Sequence, residues 1–315
     1  MGAKLFLICA LLSANFAISQ NDTIRATEVE IPSKGLPVMG TLLMPQAKST
    51  VPLLILIPGS GPTDRDGNQA IMQNNSLKFL AEALVKNGIA TFRYDKKILQ
   101  LMNTEGFKED SIKFDAFIAD AADVIEYFNK DRRFSKIIVG GHSQGSLVGM
   151  IAAREGADGF ISLEGAGRPV DEILQEQLLK QAPALEKDIN RTLDSLRSGK
   201  QDPAYSKYLA GIFRESVQPF IISWIRYNPQ TEIQKLSIPV LIVNGTKDVQ
   251  VPVSDAELLH ENNKASRIGI IANMNHILKT IDGDLNENMA SYYNPDLPVS
   301  DELVHILTDF VKSIK

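Results

Sequence analysis

The sequence predicts an α/β protein built on a mainly parallel β-sheet, covered by helices on both faces and carrying a helical cap over one end. Three observations lead there. Apolar runs of strand length alternate with segments of helical spacing through residues 20–167 and 236–315, the pattern of a sheet wound with helices. One run, VPLLILI at 51–57, is continuously apolar, as in a strand buried on both faces. Residues 168–235 break the alternation with a block of helical character, which reads as an insertion between two core strands.

Each element has a local reason. Residues 27–31 (TEVEI) alternate, Ser33-Lys34-Gly35 turns the chain, and 38–44 returns, which makes a hairpin. The strand at 51–57 stops at Pro58-Gly59, helical spacing over 77–85 stops at Asn87-Gly88, and 89–94 is a further strand. Phe117, Ile118, Ala121, Val124, Ile125 and Phe128 form the apolar face of a helix. A strand at 136–139 runs into Gly140-Gly141, and 146–154 is helical. Strands follow at 159–163, 239–243 and 268–271, and a closing helix sets Leu303, Ile306, Leu307, Phe310 and Ile314 on one side. Within the cap, Ile173, Leu174, Leu178, Leu185 and Ile189 keep helical spacing, while Pro183, Pro203 and Pro219 interrupt it.

Bulk composition narrows the function. Of 315 residues, 44% are hydrophobic and 23% charged, without a long single-sign block, so the chain can fill a core and is not disordered. A net charge of −5 lacks the basic footprint of a nucleic-acid binder. The first residues stand apart. Lys4 is the sole charge before Asp22, an apolar run spans 5–18, and Ala17-Ile18-Ser19 puts small residues where a signal peptidase inspects them. Residues 1–19 are therefore expected to be a signal peptide cut before Gln20, and the protein to be exported, periplasmic or secreted. The run is short of the roughly 20 residues of a membrane span, so no stable membrane insertion is expected after cleavage. Cys9 follows bulky Ile8 too early in the chain for lipidation. Cleavage removes Cys9, the one cysteine, and Lys4, taking the net charge from −5 to −6. Without a thiol, disulfides, thiol catalysis and cysteine metal sites are excluded.

The chemistry concentrates in a few residues. Gly141-His142-Ser143-Gln144-Gly145 fits G-x-S-x-G between a strand and a helix, a sharp turn that lifts a serine hydroxyl out of the sheet and crowds out side chains two residues to either side. A serine hydroxyl needs a base within hydrogen-bond reach. Of four histidines, His142 adjoins the serine and reads as a pocket wall, while His260 and His305 lie in helical runs. His276, in a loop after the last strand, is the expected base. Asp248, after the strand at 239–243, is the expected acid that orients the imidazole, and Asp255 is the fallback, more simply placed in the first turn of a helix capped by Ser254. The order Ser143, Asp248, His276 is that of this class of site. Backbone N–H groups of Gln144 and of Ser60, with Gly61 as an alternative, are expected to bind the developing oxyanion. The Gly-rich turn 58–61 lacks the spacing and the Lys-Ser/Thr pair of a phosphate loop. Thr63-Asp64-Arg65-Asp66-Gly67-Asn68 reads as an internally bonded loop holding that turn, and Asp95-Lys96-Lys97 as an ion-paired turn. Neither a zinc nor a calcium motif is present, so no metal and no cofactor are expected.

Together PGSGPTDRDGN (58–68), RYDK (93–96), GGHSQGS (140–146), GAGRP (165–169) and VNGTKDVQVP (243–252) resemble bacterial α/β hydrolases around the esterase D-type carboxylesterases and serine aminopeptidase-like hydrolases. The resemblance implies the α/β-hydrolase fold with an eight-stranded sheet and a helical cap. It implies hydrolysis of acyl esters, with Ser143, Asp248 and His276 as the triad and Ser60 and Gln144 as oxyanion donors. The chain departs from the resemblance after RYDK, where relatives carry a glycine-rich R-G-x-G turn and this sequence reads Lys97-Ile98-Leu99-Gln100.

The expected function is therefore an exported serine hydrolase that cleaves carboxylic, short-acyl esters of small molecules through an acyl-enzyme on Ser143. Gly61, His142 and Trp224 are expected beside the substrate, with Tyr208, Phe213 and Phe220 as further cap aromatics. A serine aminopeptidase, with Glu172, Glu176 or Glu186 binding the amine, is the alternative on the same triad, and a non-catalytic binding protein is a third reading.

Overall fold

Strands β1 (Arg25–Ile31), β2 (Val38–Met44), β3 (Val51–Ile57), β4 (Ala90–Tyr94), β5 (Phe134–His142), β6 (Gly159–Leu163), β7 (Val240–Gly245) and β8 (Arg267–Ile271) form a sheet in the order β1-β2-β4-β3-β5-β6-β7-β8. The structure is a computed structural model and describes residues 24–47 and 49–315; the expected leader, 1–19, lies outside them. The β1–β2 and β2–β4 pairs are antiparallel, and the pairs from β4–β3 through to β7–β8 are parallel.

Helices α1 (Ser76–Lys86), α2 (Ile98–Leu101), α3 (Phe114–Asn129) and α4 (Gln144–Ala152) precede β6. Helices α5 (Val170–Gln181), α6 (Glu186–Arg197), α7 (Ala210–Phe213), α8 (Gln218–Ile225) and α9 (Pro229–Gln234) lie between β6 and β7. Helices α10 (Val253–Asn262), α11 (Leu285–Ser291) and α12 (Asp301–Ser313) follow β7.

The period of two along each strand explains the layers. In β3, Leu53, Ile55 and Ile57 pack on the face covered by α3, α4 and α10, whereas Leu54 and Leu56 pack on the face covered by α1 and α12. A strand that serves two cores has no side free for polar residues, hence VPLLILI. At the far edge, β8 has one neighbour, and Ile268 and Ile270 are 36% and 38% exposed. Residues from α5 to α8, among them Leu178, Ile189, Leu193 and Phe213, make a third cluster of their own beyond the sheet. Among the described residues, no helix is long and apolar enough to cross a membrane.

Some boundaries differ from the sequence reading. β5 runs from Phe134, earlier than the apolar pattern begins, because Val51 and Pro52 of β3 already pair with Phe134 and Lys136. α10 starts at Val253 with Pro252 as its N-cap and no side-chain cap, so Ser254 does not cap it. Asp255 is in the first turn, fully buried, and accepts from the backbone N–H groups of Gly167 and Arg168 at 2.9 and 3.0 Å. It anchors the start of the segment between β6 and β7, not an imidazole.

Candidate active site

Ser143 sits between the last residue of β5 and the first of α4, with φ 53° and ψ −121°. A non-glycine residue held at positive φ costs about 1–3 kcal/mol and persists only where its surroundings enforce it. The Ser143 N–H is pinned to the Leu163 carbonyl of β6 at 2.8 Å. The flanking glycines are needed for space. A Cβ on Gly141 would lie 2.0 Å from the Gly145 carbonyl oxygen, and one on Gly145 would lie 2.5 Å from that of Ile57.

The turn aims the hydroxyl at a histidine from the far end of the chain. His276 Nε2 is 3.0 Å from Ser143 Oγ, and His276 Nδ1 is 2.6 Å from Asp248 Oδ2. The other Asp248 oxygen accepts from the N–H groups of Gln250 and Val251 at 2.7 and 2.9 Å. Burial would raise the Asp248 carboxyl, but the neighbouring His276 and these hydrogen bonds outweigh it and hold the group below the usual carboxylate range. The His276 loop is fixed from within. Buried Asn275 donates to Asn288 Oδ1 and Ser291 Oγ, both at 2.9 Å. His142 Nε2 contacts the His276 carbonyl at 2.6 Å. Burial first, and His276 second, push the His142 imidazole down to about 4, so at neutral pH it is uncharged and donates from Nε2. His142 lines the cavity, as expected, and also holds the loop. His260 bonds Ser266 at 2.8 Å and His305 is exposed beside Asp309, both remote from this chemistry.

Two further buried ionisable groups surround the triad, and sequence reasoning missed the role of both. Glu164 follows β6 with φ 49° and no solvent exposure. Its Oε2 accepts from the Gly245 N–H at 3.2 Å, and its carboxyl lies against the Asp248 carboxylate. Burial, and then the nearby Asp248, push its carboxyl well above the usual carboxylate range. The signal in the sequence was a carboxylate set directly after the apolar strand GFISL. Lys96, read as part of an ion-paired turn, has no carboxylate partner among the described residues. Asp95 pairs with Arg65 at 2.7 Å and Lys97 with Asp120, whereas Lys96 Nζ donates to the Gly59 carbonyl at 2.9 Å and to Gln144 Oε1 at 2.8 Å. Burial pushes its amine down to about 7, and its Nζ lies 4.3 Å from the centroid of Phe117.

Lys96 thereby ties together the two turns that carry Ser60 and Gln144. Among the described residues no hydrogen bond engages the backbone N–H of either one. Both line, with Ser143, a cavity of about 290 Å³ walled by Leu147, Val170, Ile173, Leu174 and Trp224. A second cavity, of about 310 Å³, holds Ser143 and His276 together with Gly61, His142 and Tyr292. A third, apolar and lined by Ile98, Met102, Phe117 and Phe220, adjoins Gly61 and Gln144 without reaching Ser143. The residue that replaces the glycine-rich turn after RYDK, Ile98, is part of that third wall.

The aromatics of residues 168–235 separate. Trp224 stacks on Phe114, with ring planes 2° apart, and reaches the Ser143 cavity. Phe213 is buried in the cluster of the α5–α8 segment, and Tyr208 is 90% exposed, so neither lines a cavity at Ser143. The Asp64 loop is bonded only in part to itself: Asp64 Oδ1 accepts from the N–H groups of Asp66 and Asn68 at 2.9 and 2.8 Å, whereas Arg65 reaches out to Asp95 and Glu28, and Asp66 to Arg93 of β4. Glu164, Asp248 and His276 are also the described group whose donor atoms, all within 4.8 Å, come close enough to bind a cation. The 2.6 Å between Nδ1 and Oδ2 is a hydrogen bond, too short for two ligands that each stand about 2 Å from a zinc ion.

No family model matches the chain. Esterase EstD of Thermotoga maritima is 27% identical over 264 residues; the match covers 81% of this chain, and the chain spans 61% of the length of that relative. Est1E from Butyrivibrio proteoclasticus superposes with a TM-score of 0.60 at 18% identity, covering 91% of this chain and 99% of that one. The chain has the α/β-hydrolase fold. A Pyrococcus furiosus esterase shares it, with a TM-score of 0.57 at 14% identity over 92% of this chain and 91% of its own. In this α/β-hydrolase chain the serine turn, the strand order and the histidine loop occur together with a hydrogen-bonded Ser-His-Asp series.

Proposed function

We propose that this protein is a serine hydrolase of carboxylic esters. The observation that carries the reading is the continuous hydrogen-bond series from Ser143 Oγ through His276 to Asp248, at 3.0 and 2.6 Å. In the proposed reaction Ser143 Oγ passes its proton to His276 Nε2 as it bonds to the ester carbonyl carbon. Asp248 holds the imidazole in place and stabilises the imidazolium. The carbonyl oxygen, now negative, is received by the N–H groups of Ser60 and Gln144. The bond to the alcohol breaks, the alcohol leaves with the proton from His276, and water, activated by the same imidazole, releases the acid from Ser143. The similarity to Esterase EstD supports an ester as the substrate class. Residues 168–235 act as the cap over the site, residues 1–19 direct export to the periplasm or beyond, and neither a metal nor a cofactor takes part.

An aminopeptidase would need a carboxylate clamp for the substrate amine. Glu172 and Glu186 are exposed and line neither cavity that reaches Ser143, and Glu176 pairs with Arg168. The test is Ser143→Ala, which keeps the fold by circular dichroism and lowers turnover of p-nitrophenyl acetate by at least ~10⁴-fold. Wild-type protein takes up a fluorophosphonate probe on Ser143. Full activity in the variant, or no adduct on the wild type, ends the proposal and favours a binding protein on this fold.

A further inference from the structure

The two cavities that meet at Ser143 differ in chemistry, and the triad decides which half of an ester each one receives. The alcohol oxygen takes its proton from His276 Nε2, so it must lie within hydrogen-bond reach of that atom. The cavity that contains both Ser143 and His276 therefore faces the alcohol. The other, which contains Ser143, Ser60 and Gln144 but not His276, faces the acyl chain. Leu147, Val170, Ile173, Leu174 and Trp224 give it a mainly apolar lining, as an acyl chain requires, beside Arg168, Gln177 and Gln250, the last of which lines both cavities.

The alcohol side is built otherwise. Its lining contains not one Asp, Glu, Lys or Arg, yet it is dense in hydroxyl and amide groups. Several of these have unused capacity. Among the described residues no hydrogen bond engages Asn74 Nδ2, Ser76 Oγ or Gln250 Oε1, and the Tyr292 hydroxyl accepts from Gln250 Nε2 at 3.1 Å without donating to any protein group. Asn74, Ser76 and Tyr292 are nonetheless 4%, 2% and 5% exposed, so these groups point into the cavity instead of the open surface. Their backbones are fixed as well: Asn74 Oδ1 accepts from the Ser76 N–H at 3.0 Å at the start of α1, and Asn68 Oδ1 accepts from the Asn74 N–H at 2.8 Å.

From this partition we infer that the enzyme acts on esters of polyhydroxy alcohols, with a neutral, hydroxyl-rich leaving group seated against Asn74, Ser76, Gln250 and Tyr292 and an apolar acyl chain against Trp224. The inference rests on the esterase reading. A charged alcohol would find no counter-ion here. A plain alkyl alcohol would cover the free donors and acceptors without satisfying them, and leaving a built hydrogen-bonding site unpaired is a strong means of rejection. A glycerol ester and a sugar ester share the chemistry, and the assay separates them.

The experiment holds the acyl group constant and varies the alcohol, comparing kcat/KM for the hexanoyl esters of glycerol, glucose and ethanol, with p-nitrophenyl hexanoate run alongside. The expected result is a preference of about tenfold or more for a polyol ester over the ethyl ester, about 1.4 kcal/mol of discrimination. Glycerol preferred over glucose marks a glyceride, the reverse a sugar ester, and either outcome supports the inference. Gln250→Leu, at an exposed rim position, and Ser76→Ala, which removes one oxygen, should each reduce the preference at least threefold, measured as the polyol-to-ethyl ratio. Equal turnover of ethyl and polyol esters by the wild type, or a preference untouched by both substitutions, overturns it. Failure to cleave any ester, p-nitrophenyl hexanoate included, would instead count against the esterase reading itself.

Discussion

Glu164→Gln tests whether the second buried carboxyl behind the triad carries a proton. The substitution keeps the shape and swaps a carboxylic acid for an amide that is uncharged at every pH. The Glu164, Asp248 and His276 donor atoms lie within 4.8 Å of one another. At that separation, with an effective dielectric near 20, a unit charge is worth about 3.5 kcal/mol, or about 2.5 pH units. An ionised Glu164 would help to hold a proton on the neighbouring base. Removing that charge would then move the acid limb of kcat/KM downward by about two pH units. A Glu164 that is already neutral has no charge to lose, and the limb should stay within about 0.3 unit.

The assay is the pH dependence of kcat/KM with p-nitrophenyl acetate between pH 4 and 8. Equilibrium unfolding adds a second readout. Below 4.5, the ordinary value for Glu, the group is protonated in both folded and unfolded chains. Above it the unfolded chain releases a proton that the folded chain retains, so Glu164 makes the wild type lose stability as pH rises. The variant lacks that loss and should gain on the wild type as pH rises from 4.5. A downward shift of the acid limb by more than one unit, with no such gain, refutes a protonated Glu164.

Two further outcomes follow from the groups that brace the site. Lys96→Met cuts the tie between Gly59 and Gln144, and the resulting misplacement of the oxyanion donors should lower kcat about a hundredfold while KM moves little; kcat within threefold of wild type would deny Lys96 a positioning role. His142 is pushed from 6.5 down to about 4, so between those values the unfolded chain binds a proton that the folded chain refuses, and stability rises with pH. The full window is worth about 3 kcal/mol. Denaturation of wild type and His142→Gln at pH 4 and 6.5 should show that gain in the wild type and not in the variant, whose amide still donates to the His276 carbonyl; parallel curves would contradict it.

What the order of residues determined for this protein is what short-range physics encodes. A strand with two buried faces must read VPLLILI, because each of its sides meets a different core. A serine in a left-handed turn needs glycine at 141 and 145, because a Cβ there would collide with backbone. The aspartate and histidine that follow the later strands could be picked out because strand ends on a parallel sheet gather at one edge. The structure alone decided what depends on partners distant in the chain. Asp255 and Ser254 looked like an ordinary helix start, yet Asp255 is spent on Gly167 and Arg168, 87 or more residues away. Lys96 looked paired because charged neighbours flank it, but Asp95 and Lys97 turn to Arg65 and Asp120 and leave it buried between two turns of the site. Phe213 and Trp224 carry similar local signals, and only packing puts one in a core and the other at the serine. Glu164 is the extreme case. Its carboxyl is pushed above the usual range by the absence of water and by the charge on Asp248, two conditions that exist once the strands have brought residues 164, 248 and 276 together.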